Sequence, residues 1–252
     1  MSQDTHQANV QTVVNLVRDR VVNGRRTVIA IAGPPASGKS TLAESVVDCL
    51  NRTGHEGLRA SLLPMDGFHF DNDHLRGLGL LARKGAVETF DAVGFSAAIT
   101  ALAANQSGLL LPRFDRDRDR VVPDEIAIDL KTRIIVTEGN YLLLNREPWS
   151  SLRPLYDATV FVKAPLSILE MRLIERWSEQ NLTAQAAQSK IRDNDLPNAA
   201  LVMRESAAAD LTIEHSVHDA LGASAESALS PLSKSPELVQ ADRVVVEVVR
   251  MA

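Results

Sequence analysis

The chain has one cysteine, Cys49, so no disulfide can join two parts of it. Cys49 falls within an amphipathic helical pattern, where a thiol behaves as a small buried hydrophobe. Aromatic residues are scarce at 4%, so the core must be mainly aliphatic. No apolar run approaches the roughly 20 residues needed to cross a membrane as a helix. Basic charge is not in excess: 27 Lys and Arg face 32 Asp and Glu, a net of −5. That argues against nucleic acid or an anionic membrane as a partner. Met1 to Asn9 is polar and has no signal-peptide core, so a cytoplasmic protein is expected. What remains is 252 residues, 45% hydrophobic, enough for one α/β domain of ordinary size and an appendage.

The most informative stretch is Thr27 to Thr41. It begins as an apolar, β-branched run. Gly33-Pro34-Pro35-Ala36-Ser37-Gly38-Lys39-Ser40 then fits G-x-x-x-x-G-K-[ST], the pattern of a phosphate-binding loop. An amphipathic helix follows, with Leu42, Val46 and Leu50 on one face. Strand, glycine loop and helix is the order this chemistry needs. The turn brings several backbone N–H groups to one anion, and the helix presents its positive end to it. Gly33 through Thr41 are therefore expected to cradle ATP phosphates. Lys39 would reach the β- and γ-phosphates, and the Ser40 hydroxyl would ligate Mg²⁺. At average residue frequencies the bare pattern arises by chance in roughly one per cent of chains this long.

The rest of the chain alternates strands with helices. Val10, Val13, Val14, Val17 and Val21 recur at helical spacing, and residues 1–24 are expected to form a helix packed on the core. Leu58 to Met65, Ile134 to Gly139, Ala158 to Val162 and Ala209 to Ile213 read as further strands. Residues 66–91 read as a long irregular loop of functional character, closed by Asp91 as the N-cap of a helix carrying Phe95, Ile99 and Leu102. Pro165 suits the first turn of a helix through Leu169, Leu173 and Trp177, and another helical stretch runs from about Thr183 to Asn194. The alternating-sign run Arg113 to Arg120 reads, in its second half, as a solvated loop. Such an order implies a parallel sheet with right-handed crossovers, whose ligands gather at the carboxyl ends of the strands. Gly33, Asp66 and Glu138 all fall at such ends. A core domain over 25–213 is expected. The segment 214–252, rich in Ala and Ser around Gly222 to Pro236, reads as a tail that could end in a short strand at Val244 to Val249.

Phosphoryl transfer needs a phosphate cradle, Mg²⁺, a group that orients the nucleophile, and cations on the transferring group. Asp66 could hold the acceptor hydroxyl and take its proton. Glu138 could orient Mg²⁺ with Ser40, or bind substrate. Arg172 and Arg176, four residues apart, share one helix face and could act as a lid over the γ-phosphate. His69, Arg83, Lys84, Arg113 and Arg116 could line the acceptor pocket, where the basic residues would also suit a carboxylate or phosphate on the acceptor.

Four segments together resemble the phosphoribulokinase/uridine kinase/pantothenate kinase family of P-loop kinases: Gly33 to Thr41, Pro64-Met65-Asp66-Gly67-Phe68-His69, Arg83-Lys84-Gly85 through Asp91, and Thr137-Glu138-Gly139-Asn140-Tyr141-Leu142-Leu143. Their order and spacing match across about residues 25–213. In particular the chain resembles bacterial members labelled fructose transport system kinase or nucleoside/nucleotide kinase family protein. The resemblance implies a three-layer α/β/α P-loop NTPase sandwich with a mainly parallel five-stranded core sheet and a short helical lid. It implies an ATP- and Mg²⁺-dependent kinase acting on a hydroxyl of a small molecule, such as fructose, with pantothenate- and nucleoside-type acceptors as alternatives. It matches Asp66 to the catalytic Asp, Glu138 to the acidic end of the Walker-B-like strand, and Arg172 and Arg176 to lid arginines. It places Tyr141 with the substrate residues and Asn198, in Asn194 to Ala199, near the adenine. Gly67-Phe68-His69 departs from the Ser-containing loop of uridine kinases and phosphoribulokinases toward that of pantothenate kinases, yet the chain is shorter than those, so the acceptor is not carried over. A homodimer stays open, as does a nucleotide-dependent regulator in place of an enzyme.

Overall fold

The computed structural model describes residues 3–53, 59–180 and 182–215. Its centre is a five-stranded, all-parallel sheet in the order β2-β5-β1-β6-β7: β1 Thr27–Ala32, β2 Arg59–Pro64, β5 Thr132–Gly139, β6 Ala158–Lys163 and β7 Leu211–Glu214. β1 is buried along its whole length, as a central strand covered on both faces must be. Its side chains alternate. Ile29 and Ile31 join Val46, Val136 and Val160 on one face, and Val28 and Ala30 join Phe95, Ile99 and Trp149 on the other.

Helices α1 (Gln3–Arg20) and α2 (Lys39–Arg52) cover the first face. The α1 valines at 10, 13, 14 and 17 are all buried there, each removal from water contributing roughly 1.5 kcal/mol or more. Helix α4 (Ala92–Ala103) covers the second face, capped as expected by the Asp91 side chain accepting from the Gly94 N–H at 2.8 Å. Arg26 is buried beneath the sheet, where its guanidinium donates to the carbonyls of Thr132, Leu102, Gln106 and Asp129 at 2.9–3.3 Å. It closes four backbone acceptors, two at the end of α4 and two at the entry to β5, that would otherwise be left open.

Four segments differ from the sequence expectation or go beyond it. The second half of the Arg113–Arg120 run is an exposed turn, as expected, but it is the tip of an antiparallel hairpin, β3 (Leu109–Asp115) and β4 (Arg120–Ile128), a second sheet apart from the first. Its apolar residues alternate inward, which the charges between them hide. The loop after β2 contains three short 3-10 turns and helix α3 (Asn72–Gly77). Pro165 is the N-cap of α5 (Leu166–Glu179), one position before the helix proper. The helix expected to end near Asn194 is α6 (Ala184–Lys190), a π turn over Ile191–Asp195, and α7 running on to Glu205. No described helix is long and apolar enough to cross a membrane. Residues 54–58 and the tail from 216 onward, including its Ala/Ser-rich part and Val244 to Val249, lie outside the described residues.

Candidate active site

The register of the sheet gathers the site. Ala32 pairs with Gly139 and Ile31 with Glu138 across β1 and β5, while Pro64 pairs with Glu138 across β2 and β5. The loops after β1 and β2 and the end of β5 therefore open onto one cleft of about 970 Å³.

At one end is the glycine loop. A Cβ on Gly33 would come within 2.5 Å of the Val162 carbonyl oxygen and 2.9 Å of the Ser37 hydroxyl, so only glycine lets the loop lie this close to β6. Gly38 (φ +91°) and Ala36 (φ +61°) both adopt left-handed backbone, which turns successive N–H groups toward the same side. Helix α2 begins at once with Lys39. The Lys39 side chain is buried yet has no hydrogen bond or ion pair among the described residues. Burial depresses its pKa, against the nearby Glu138 and Asp66 charges. The Ser37 hydroxyl is buried without a hydrogen-bond partner among the described residues. Arg172 on α5 donates to the carbonyls of Ala36 (3.1 Å) and Ser37 (3.2 Å), tying the loop to that helix.

Ser40 Oγ donates to Glu138 Oε2 at 3.0 Å. Burial, with Asp66 nearby, raises the Glu138 pKa in spite of Lys39. A hydroxyl and a carboxylate in contact, beside a loop that faces an anion, fit Mg²⁺. That ion takes one or two protein oxygens and completes its shell with phosphate and water. The described residues contain no group of three or more His, Cys, Asp or Glu placed to hold a metal by themselves, and a Mg–nucleotide needs none.

At the other end Asp66 stands in a 3-10 turn just past β2. Burial pushes its carboxyl pKa up, but the charges of His69, Arg116 and Lys39 outweigh this and hold it below the ordinary value. Arg116, from the hairpin tip, donates to Asp66 Oδ2 at 3.0 Å. The His69 ring lies 3.9 Å from the Phe90 ring and 5.0 Å from that of Phe114, centroid to centroid. Its Nδ1 is 2.9 Å from the Asp66 carbonyl, an acceptor only, so Nδ1 carries the proton and Nε2 is left as an acceptor. Burial keeps this imidazole pKa below its usual value. Lys84 donates to Asp119 Oδ1 (2.8 Å), Asn72 Oδ1 (2.7 Å) and the Asp119 carbonyl (3.0 Å), and lies over the Phe114 ring.

The wall between the two ends comes from α5 to α7. Arg176 has no hydrogen bond or ion pair among the described residues. Burial lowers its pKa, as does the Arg116 charge, while Asp66, Asp195 and Glu138 oppose this. Trp177 donates to Asp195 Oδ2 at 2.7 Å, and Lys190 lies over the indole. Asn194 donates to the Lys84 carbonyl at 3.0 Å and accepts from buried Asn198 at 3.2 Å, so the π turn fastens this wall to the acceptor loop.

The cleft thus brings together Pro35, Ala36, Gly38, Lys39, Ser40, Thr41, Asp66, His69, Lys84, Arg116, Glu138, Arg172, Arg176 and Asn198. Gly33, Pro34 and Ser37 form the loop beneath. Three residues expected to contact substrate, Arg83, Arg113 and Tyr141, do not line the cleft. Arg83 turns outward to Glu88 at 2.5 Å. Arg113 is on the outer side of β3, near Glu125, because Phe114 takes the inward position of that pleat. Tyr141 is buried and supports the loop instead, its hydroxyl donating to the Gly85 carbonyl at 2.7 Å. Sequence reasoning missed Phe90, Phe114, Asn72, Asp119, Trp177 and Asp195. Only Phe114, one residue from the expected Arg113, carried a readable signal, the alternation of the strand.

No family model matches the chain. It is 35% identical over 190 residues to the Escherichia coli K12 protein YggC, covering 75% of this chain and 78% of that one. It is 33% identical over 198 residues to a Schizosaccharomyces pombe protein named "putative uridine kinase", covering 75% and 83%. Among solved structures it is similar to a "putative fructose transport system kinase" from Silicibacter sp. TM1040, with a TM-score of 0.75, 37% identity, and coverage of 81% of this chain and 98% of that one.

Proposed function

The chain belongs to the phosphoribulokinase/uridine kinase/pantothenate kinase family of P-loop kinases, ATP-dependent phosphotransferases with a small-molecule alcohol as acceptor, and we propose that its acceptor is a sugar held against Asp66. The name of the Silicibacter relative suggests fructose. The observation that carries the assignment of roles is the meeting of Lys39, Asp66 and Glu138 at the ends of three adjacent strands, under an unpaired Arg176.

In this reading the loop N–H groups and Lys39 bind the β- and γ-phosphates. Arg176 faces the transferring group and takes up negative charge as the bond to the leaving oxygen lengthens. Asp66 accepts a hydrogen bond from the attacking hydroxyl and receives its proton late, as a loose transition state requires, so a carboxylate of low pKa suffices. Ser40 and Glu138 would hold Mg²⁺, which supplies charge neutralisation at the phosphate oxygens when bound. Arg172 keeps the loop in shape. A nucleoside acceptor is the second reading, supported by the name of the S. pombe relative and by the aromatic rings of Phe90 and Phe114.

The test is ADP release from Mg-ATP against sugars and nucleosides. Asp66→Asn should lower kcat by about 10²–10⁴-fold and leave ATP binding intact, whereas Lys39→Ala should weaken both. Near-normal turnover by Asp66→Asn would refute the role given to Asp66.

A further inference from the structure

The cations of the acceptor end are already occupied. Arg116 is held by Asp66 at 3.0 Å. Lys84 is held by Asp119 at 2.8 Å and by Asn72, with its side chain largely buried. Lys190, on the wall, lies over Trp177 and feels the Asp195 carboxylate. Arg83 and Arg113, which the sequence offered for an anionic group, pair outside the cleft with Glu88 and Glu125. The phosphate end is the opposite: among the described residues Lys39 and Arg176 have no hydrogen bond or ion pair, although Arg176 lies over the Trp177 ring at 5.3 Å.

A carboxylate or phosphate on the acceptor would meet Asp66 and Asp119 before it met a free cation. To recruit Arg116 it would have to compete with the carboxylate that must orient the hydroxyl. To recruit Lys84 it would have to break three hydrogen bonds at the hairpin tip. Like charges this close repel strongly in a partly desolvated cleft. Beside the amides of Asn72 and Asn140, the lining holds acceptors that want an O–H: His69 Nε2 and the carboxylate oxygens of Asp66 and Asp119. The rings of Phe90 and Phe114 beside His69 give an apolar wall for carbon-bound hydrogens.

We propose that the acceptor is an uncharged polyhydroxy compound, and that the Lys84–Asp119 and Arg116–Asp66 pairs exclude congeners bearing a carboxylate or a phosphate. The proposal rests on the kinase reading above and narrows it. It makes Lys84 and Asp119 specificity-determining residues without a part in phosphoryl transfer.

The experiment uses matched pairs that share a hydroxyl-bearing skeleton: fructose and fructose 6-phosphate, ribulose and ribulose 5-phosphate, glycerol and glycerate, pantothenol and pantothenate. For each, Mg-ATP-dependent ADP release and thermal stabilisation in the presence of a non-hydrolysable ATP analogue are read side by side. The uncharged member of at least one pair should be preferred by about 10²-fold or more in kcat/KM, in line with the large penalties of unmatched buried charge. Asp119→Asn, which removes the countercharge of Lys84 but keeps its bonds to Asn72 and the residue-119 carbonyl, should narrow that preference at least about tenfold by improving the anionic member. Preference for an anionic member in either readout overturns the proposal. So does silence from every uncharged member while the ATP analogue still stabilises the protein. Failure of the analogue itself to bind would instead refute the kinase reading.

Discussion

Among the described residues Lys39 and Arg176 stand at one end of the cleft without an ionic partner, whereas at the other, our proposed acceptor end, Arg116 is 3.0 Å from Asp66 and Lys84 is 2.8 Å from Asp119. The two ends are lined from the same cleft, yet they meet opposite demands. Nucleotide phosphates arrive carrying their own negative charge, so the cations meant for them are kept free, at the cost of burial that depresses the pKa of both. The neutral acceptor we propose brings no charge, and an unpaired cation facing it would gain nothing. The protein supplies the counter-charge itself, and the paired groups then act as fixed hydrogen-bonding walls. Where a buried charge is left unpaired, its partner is expected from outside; where it is paired, the ligand is expected to be neutral.

The largest break in this comparison comes from the phosphate end, where geometry leaves no slack. Gly33→Ala forces a Cβ to within 2.5 Å of the Val162 carbonyl. It should destabilise the protein by about 2–3 kcal/mol, lower Tm by roughly 5–10 °C and abolish detectable ATP binding. Calorimetry and nucleotide titration would read both, and an unchanged Tm would mean that the loop can move away from β6.

A smaller effect is expected at the junction of the two ends. Arg116→Gln removes a cation that holds the Asp66 carboxyl down against the effect of burial. The sign follows directly: without that cation Asp66 protonates at a higher pH, and only its deprotonated form accepts the hydroxyl proton. The acidic limb of the kcat/KM profile should therefore move to higher pH, while activity well above neutrality changes only through positioning, by about tenfold or less. A limb that stays in place or moves to lower pH would show that Arg116 does not set the ionisation of Asp66.

The smallest effect tests the support of the acceptor end. Tyr141→Phe leaves the Gly85 carbonyl without its 2.7 Å donor and should cost about 1 kcal/mol in denaturant unfolding. Its main trace should be in KM for the acceptor, with KM for ATP unchanged. A matching rise in KM for ATP would mean that Tyr141 supports both ends.

The phosphate end was legible in the chain because eight consecutive residues define it. The two glycines, the lysine and the serine keep their meaning wherever the strand and helix around them form. The sheet was legible for a related reason: Ile134 to Gly139 and Ala158 to Val162 are short β-branched runs, and alternation with helices leaves few topologies open. The acceptor end was not legible. Its residues lie between 66 and 119 and again between 177 and 198, and their sequence neighbours look equivalent. Arg113 and Arg116 belong to one charged run, yet the pleat of β3 turns the first outward and the turn of the hairpin carries the second to Asp66. Arg26, a charge just before β1, is buried on four carbonyls drawn from Leu102 to Thr132.

The sequence by itself determined the glycine loop at residues 33–41, which we propose binds phosphate, and the parallel sheet that carries it, because both depend on local backbone geometry and on the periodicity of apolar side chains. Only the tertiary structure decided which cations are free and which are spent on carboxylates. That property belongs to pairs of side chains brought together across 35 to 50 intervening positions, and no single residue type records it.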